Sequence, residues 1–152
     1  ITMLSLYISM AQSEDTKISR RTKEGIHASL EKGKCTCKAP RGYINKQIDD
    51  NNKYVAIDET KAPIIREMFR EVAKGVYTPC YVQRMFARRG HYIHKNSFMK
   101  MLRNRFYVGE VFVPEYRDEK IGTIPAHYVK GQHEPLIVRV SKRLSISDIA
   151  LN

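Results

Sequence analysis

A chain of 152 residues has room for one compact domain with an arm, or for two small lobes, but not for a large multidomain enzyme. Hydrophobic residues at 42% and charged residues at 28% are ordinary for a globular protein; no apolar run approaches the ~20 residues needed to cross a bilayer, and no signal peptide is expected. The 27 Lys and Arg against 16 Asp and Glu leave a net charge of +11, more than solubility requires, and imply a polyanionic partner.

Residues 1 to about 33 read as one long helix, free of Pro, with Gly33 as its stop. Met3, Leu4, Leu6, Tyr7, Met10 and Ala11 form an apolar stripe that seeks a partner. The second half is too polar for a core helix and carries Lys17, Arg20, Arg21 and Lys23. A loop rich in Cys, Lys and Pro follows, then a strand pair in which Tyr43 and Ile44 face Tyr54 to Ile57 across a turn near Asp49 to Asn52. Asp58 to Thr60 supply cap candidates for a buried helix over about 61–74, in which Ile64, Ile65, Met68, Phe69, Val72 and Ala73 repeat at helical spacing before Gly75.

Thr78 as cap and Pro79 at the first helical position open a further helix, with Val82, Met85 and Phe86 inward and Arg84 and Arg88 outward, closed by Gly90. After the segment from His91 to Lys95 comes a helix from about Asn96 to Arg103, with Phe98, Met101 and Leu102 on one side and Asn96, Lys100 and Arg103 on the other. Helix, turn, helix is the order of a DNA-binding helix-turn-helix. From Tyr107 onward, Val108, Val111, Phe112 and Val113 predict a strand and hairpin, with weaker strand signals at Ile121 to Ile124 and Leu136 to Val138. The expected fold class is α+β and mainly helical: a long N-terminal helix, a small helical core with a helix-turn-helix-like unit, and short β-hairpins.

Charge is distributed unevenly. From Val72 to Gly109 there is no carboxylate, yet Lys74, Arg84, Arg88, Arg89, Lys95, Lys100, Arg103 and Arg105 fall there. A solvated basic face usually carries interspersed acids, and a membrane anchor would confine its cations to one amphipathic helix, so a nucleic acid fits better than either. Three Cys, an odd number, argue against a disulfide scaffold and predict reduced thiols in a cytoplasmic protein. Cys35 and Cys37 with His91 and His94 match structural zinc spacings poorly, and neither a metal nor a cofactor is expected.

Several strings, in order, resemble the large serine recombinases and integrases over roughly residues 11–137. Ala11-Gln12 through Ile18 to Ile26 resembles the end of the family's long linker helix, and Pro40-Arg41-Gly42-Tyr43 its P-x-G-Y element. Ile57-Asp58-Glu59 with Ala62 and Ile64 to Phe69 is similar to the acidic opening and core helix that come next. Gly75, Met85 to Gly90, Met101 to Gly109 and His133 to Ile137 resemble its later signatures. No one string is specific; six in the expected order are much stronger.

The resemblance implies a mobile-element enzyme that cuts both DNA strands with a serine nucleophile, forms phosphoserine links and rotates subunits within a tetramer. An opening at Ile1 rather than Met predicts a domain excised from a longer protein, and nothing here resembles the family's catalytic domain, so no catalytic residue is expected. Arg21 matches an Arg of the linker-helix motif near the cut DNA, while Arg20 stands where the family often has Glu. The paired C-x-x-C ligands of the family's zinc ribbon are missing, and the tail after Ile137 does not resemble the family's continuation.

The expected organisation is a linker helix over 1–33, a recombinase DNA-binding domain over 34–137, and a tail of unknown role over 138–152. The expected partner is double-stranded DNA at a recombination site, with the full-length protein self-associating as dimer and tetramer near the nucleoid. Asn96, Lys100 and Arg103 are the candidate base-reading face, since Asn pairs bidentately with adenine and Arg with guanine. Arg84, Arg88, Arg89, His91, His94, Lys95 and Arg105 are candidates to brace that groove, and Arg20, Arg21, Lys23, Lys32, Lys34 and Arg41 to follow the backbone or a minor groove. Two other classes fit a basic chain of this size, a helix-turn-helix regulator without catalysis and an RNA-binding protein.

Overall fold

The computed structural model describes residues 2–49, 52–118, 121–139 and 149–150. It is an α+β fold with a long N-terminal helix and short antiparallel strand pairs. Helix α1, Met3–Glu31, is solvent-exposed on every side over residues 3–26, about 36 Å of helix at roughly 1.5 Å per residue. Only its last turns reach the domain, where Leu30 is buried and His27 stacks on Tyr116 at 4.5 Å.

The chain leaves α1 through a paired hydrogen-bond motif that satisfies its last carbonyls. The Gly33 amide donates to the Leu30 carbonyl at 2.8 Å and the Lys34 amide to the Ser29 carbonyl at 3.0 Å, with Gly33 at φ +74°. Its docking partner is the segment around Lys130: the Gln132 amide donates to the Gly33 carbonyl at 3.0 Å and Gln132 Nε2 to the Lys32 carbonyl at 2.8 Å.

Strands β1 (Tyr43–Asp49) and β2 (Asn52–Ile57) form the expected pair, antiparallel with Tyr43 opposite Ile57 and Ile44 opposite Ala56. The turn expected between them falls partly on residues 50–51, outside the described residues. Only Tyr43 of β1 is buried, so the hairpin projects from the core at one end. Helix α2, Ala62–Ala73, buries Ala62, Ile65, Met68, Phe69 and Val72. None of the expected caps acts on it through a side chain: Lys61 occupies the cap position, and the Asp58 side chain instead accepts from the Thr60 amide at 3.1 Å one turn earlier.

Helix α3, Pro79–Arg88, has the Thr78 hydroxyl accepting from the Tyr81 amide, as its sequence implies, and α4 spans Lys95–Arg103. The Gly90 amide donates to the Ala87 carbonyl and the His91 amide to the Phe86 carbonyl, so α3 ends as α1 does. Val82, Phe86, Ile93, Phe98, Met101 and Leu102 fill the core from these two helices and their connection.

The strand expected to begin at Tyr107 begins later. Residues Arg105–Val108 form a 3₁₀ turn, because the Asn104 side chain accepts from the Phe106 amide at 3.0 Å and Gly109 turns left-handed at φ +85°. Strand β3, Glu110–Val113, then pairs with β6, His127–Lys130, and β4, Tyr116–Asp118, pairs with β5, Gly122–Ile124. Val113 faces His127 and Tyr116 faces Ile124, so the two pairs keep one register. They are a single hairpin interrupted where Pro114 and Pro125 cannot donate to the ladder. Leu136 and Ile137 are buried, their amides both donating to the Tyr107 carbonyl, and β7 (Val138–Arg139) pairs with β8 (Ile149–Ala150).

Two tyrosines fasten this part of the core, one from the start of β1 to the segment around residue 134 and one from the 3₁₀ turn to the loop before β1. Tyr43 Oη donates to the Glu134 carbonyl at 3.0 Å, and Tyr107 Oη to the Arg41 carbonyl at 2.8 Å; burial pushes both phenols far above the ordinary range. His133 meets Tyr43 edge-on and is stacked on Phe106 at 3.6 Å, with Nε2 2.7 Å from the Phe106 carbonyl. As a neutral ring it donates there, and burial holds its pKa below 6.5. Because the unfolded chain protonates first, His133 contributes stability that is full above pH 6.5 and is lost as pH falls through the lowered value. His127 runs the other way: the Pro125 carbonyl and Glu31 raise its pKa, and its contribution is lost as pH rises. Urea unfolding from pH 8 to pH 5 is therefore expected to show a loss on the acid side that His133→Asn removes; an unchanged profile in that variant would refute the assignment.

Candidate nucleic-acid interface

The acid-free stretch becomes two surfaces of different character. At its margins the cations are neutralised from outside: Lys74 Nζ lies 2.6 Å from Glu71, Arg89 3.0 Å from Glu67, and Arg105 2.9 Å from Glu110. Arg89 also covers the Phe86 ring, and Arg105 lies 4.2 Å over the Tyr128 ring. These two arginines tie α3 to α2 and the 3₁₀ turn to the β3–β6 pair. Arg84, Arg88, Lys95, Lys100 and Arg103 are exposed and make no ion pair among the described residues.

On α4 the separation into faces is sharp. Phe98, Met101 and Leu102 are buried, while Asn96, Lys100 and Arg103 are exposed and share one side at i, i+4 and i+7. His94 is the cap of this helix: its Nδ1 accepts from the Asn96 amide at 3.3 Å, and the residue is exposed. Sequence periodicity places the helix but not this cap, since His is not among the usual capping residues. His91 is exposed one turn earlier.

The second group lies along α1 and the loop after it. Arg20, Arg21, Lys23, Lys32, Lys34 and Arg41 are all exposed, and Arg20 makes an i, i+4 ion pair with Glu24 at 3.5 Å. Two lysines absent from the sequence-level set, Lys38 and Lys53, join Lys34 around a groove beside the β1–β2 hairpin. No local pattern marks Lys53, because only the fold of the loop against the hairpin brings it there.

Cys35 and Cys37 approach to 3.4 Å between sulfurs, and burial pushes the Cys35 thiol up to about 11. Among the described residues, no three His, Cys, Asp or Glu side chains converge as metal ligands, and no helix is long and apolar enough to cross a membrane.

No family model matches the chain. No curated protein matches it either. Among solved structures, it superposes at a TM-score of 0.56 and 24% identity on a chain described as "Crystal Structure of a LSR-DNA Complex", LSR being a large serine recombinase. This chain has the fold of part of a large serine recombinase. The alignment covers 78% of this chain and 34% of that one. A second chain, described under "Sequence Requirements of the Listeria innocua prophage attP site", aligns at a TM-score of 0.55 and 23% identity, covering 78% of this chain and 46% of that one. The chain thus spans under half the length of these two chains, and the resemblance read from its sequence holds at the level of fold.

Proposed function

We propose that this chain is the duplex-DNA-binding part of a serine site-specific recombinase, the long α1 being the linker helix and residues 34–137 the domain that holds the recombination site. The observation that carries the reading is the exposed, acid-free face of α3 and α4, presented by a fold shared with the recombinase chain of a protein–DNA complex. In this reading α3 and α4 act as a helix-turn-helix. α4 enters the major groove, where Asn96, Lys100 and Arg103 meet base edges, and Arg84, Arg88 and Lys95 meet phosphates. Arg20, Arg21 and Lys23 follow the backbone toward the crossover point, with Lys32, Lys34 and Arg41 behind them. Arg89 and Arg105, already held by Glu67 and Glu110, brace the domain and contribute less directly.

The stripe of Met3, Leu4, Leu6, Tyr7 and Met10 is half exposed or more along its length. It supplies the contact through which linker helices of the full-length protein pair between subunits. Strand cleavage by a serine nucleophile belongs to the parent protein; this chain positions it. The protein acts in the cytoplasm, on the nucleoid.

The test is competition binding at stated salt concentrations, duplex DNA against structured RNA. Duplex binding that weakens with salt is expected, log Kd rising about linearly with log salt at a slope of roughly +0.9 per phosphate neutralised. A preference for structured RNA would replace the reading with an RNA-binding one, and specific duplex binding by a full-length protein that cleaves no DNA would point to a regulator.

A further inference from the structure

A groove of about 450 Å³ opens between the end of α1, the loop that follows and the β1–β2 hairpin. Lys34 and Lys38 line it from the loop and Lys53 from β2, with Thr36 and Asn45 between them, and no carboxylate is among its lining residues. None of the three lysines makes an ion pair among the described residues. The side chains of Thr36 and Asn45 likewise have no described hydrogen-bond partner, so a hydroxyl and an amide donor are open toward the same space. Three like charges gathered around one cavity repel unless an anion sits among them, and ammonium groups with neutral donors beside them form a phosphate-binding set.

We propose that this groove seats a phosphate of the DNA backbone, making the loop and hairpin a second, sequence-independent contact beside that of α4. The inference rests on the DNA-binding reading above and adds Lys38 and Lys53 to it. Gly33 fixes the direction in which Lys34 enters the groove, and the antiparallel register, Gln47 opposite Lys53, fixes that of the hairpin.

The test uses the whole chain and the K38Q/K53Q variant, which keeps most of each aliphatic stem. Both positions are exposed, so the urea midpoint is expected to stay at the wild-type value. The salt slope of DNA binding is expected to fall by about two. The affinity ratio of wild type to variant is then expected to shrink about tenfold between 50 and 200 mM salt, equally on specific and random duplex. Cys37, exposed in the same groove, gives a second readout: duplex DNA is expected to slow its alkylation by N-ethylmaleimide, followed by peptide mass, in the wild type and not in the variant. If the wild type binds DNA while the variant keeps its slope and Cys37 reacts as fast with DNA as without, the groove assignment is overturned alone. If single-stranded RNA protects Cys37 and duplex DNA does not, it is also overturned. If the wild type ignores duplex DNA altogether, the underlying reading fails first.

Discussion

Arg103→Ala and Lys100→Ala are each expected to weaken binding to the recombination site about tenfold or more, and to weaken binding to random duplex much less. The expectation follows from where the side chains stand. Both are exposed on the side of α4 opposite Phe98, Met101 and Leu102, and neither is drawn off by a described carboxylate. A bidentate contact from Arg to guanine discriminates by about 1–3 kcal/mol, whereas a phosphate contact weakens all sequences alike. Arg21→Ala and Lys34→Ala provide the contrast, since residues that follow the backbone should lower affinity for both DNAs by the same factor. Binding isotherms on specific and random duplex at one salt concentration decide the matter. Equal losses on both DNAs in all four variants would show that α4 meets phosphates only.

The other large effect is expected at Gly33. An alanine there would sit at φ +74°, a conformation that costs an L-residue about 1–2 kcal/mol. Its Cβ would also overlap the Lys130 carbonyl oxygen, far inside van der Waals contact, so the backbone of β6 must move as well. Gly33→Ala is thus expected to cost about 2–4 kcal/mol, the strain and the displacement adding. Urea unfolding measures the total, and amide exchange locates it. The amide of Gln132, which joins the end of α1 to the domain, and those of Gly33 and Lys34, which close the last turn of α1, should lose protection before those of α2. A midpoint equal to the wild type would mean that this junction holds nothing.

What the sequence makes legible is local, and what it hides is not. The helical repeat of Ile64 to Ala73, the Thr78 and Pro79 opening of α3 and the separated faces of α4 are each written within one or two turns of chain. The pairing of Tyr43 and Ile44 with the run Tyr54 to Ile57 is legible too, because a hairpin joins neighbours, while its register is not. The strand expected from Tyr107 failed for a reason that is also local: a β-prone run is overridden by the Asn104 cap and Gly109. The pairing of β3 with β6 was not legible, since their ladder is broken by Pro114 and Pro125 and each piece is short. At the proposed interface, net charge and the acid-free stretch single out a basic surface, but not which of its cations are left without a carboxylate. Arg89 and Arg105 find their carboxylates on α2 and β3, and Lys53 reaches the groove across the hairpin. Such partners are fixed only by the tertiary fold.

The unsupported length of α1 also sets a phase. Because each residue of a helix advances about 100°, a single residue inserted between Thr16 and Gly25 swings the side bearing Met3 and Tyr7 by that angle relative to the body of the protein. Seven inserted residues bring it back to within about 20° while lengthening the rod by roughly 10 Å. Activity that depends on the angle between the two ends should therefore rise and fall with insertion length in step with the helical repeat, whereas activity that needs only reach should change steadily.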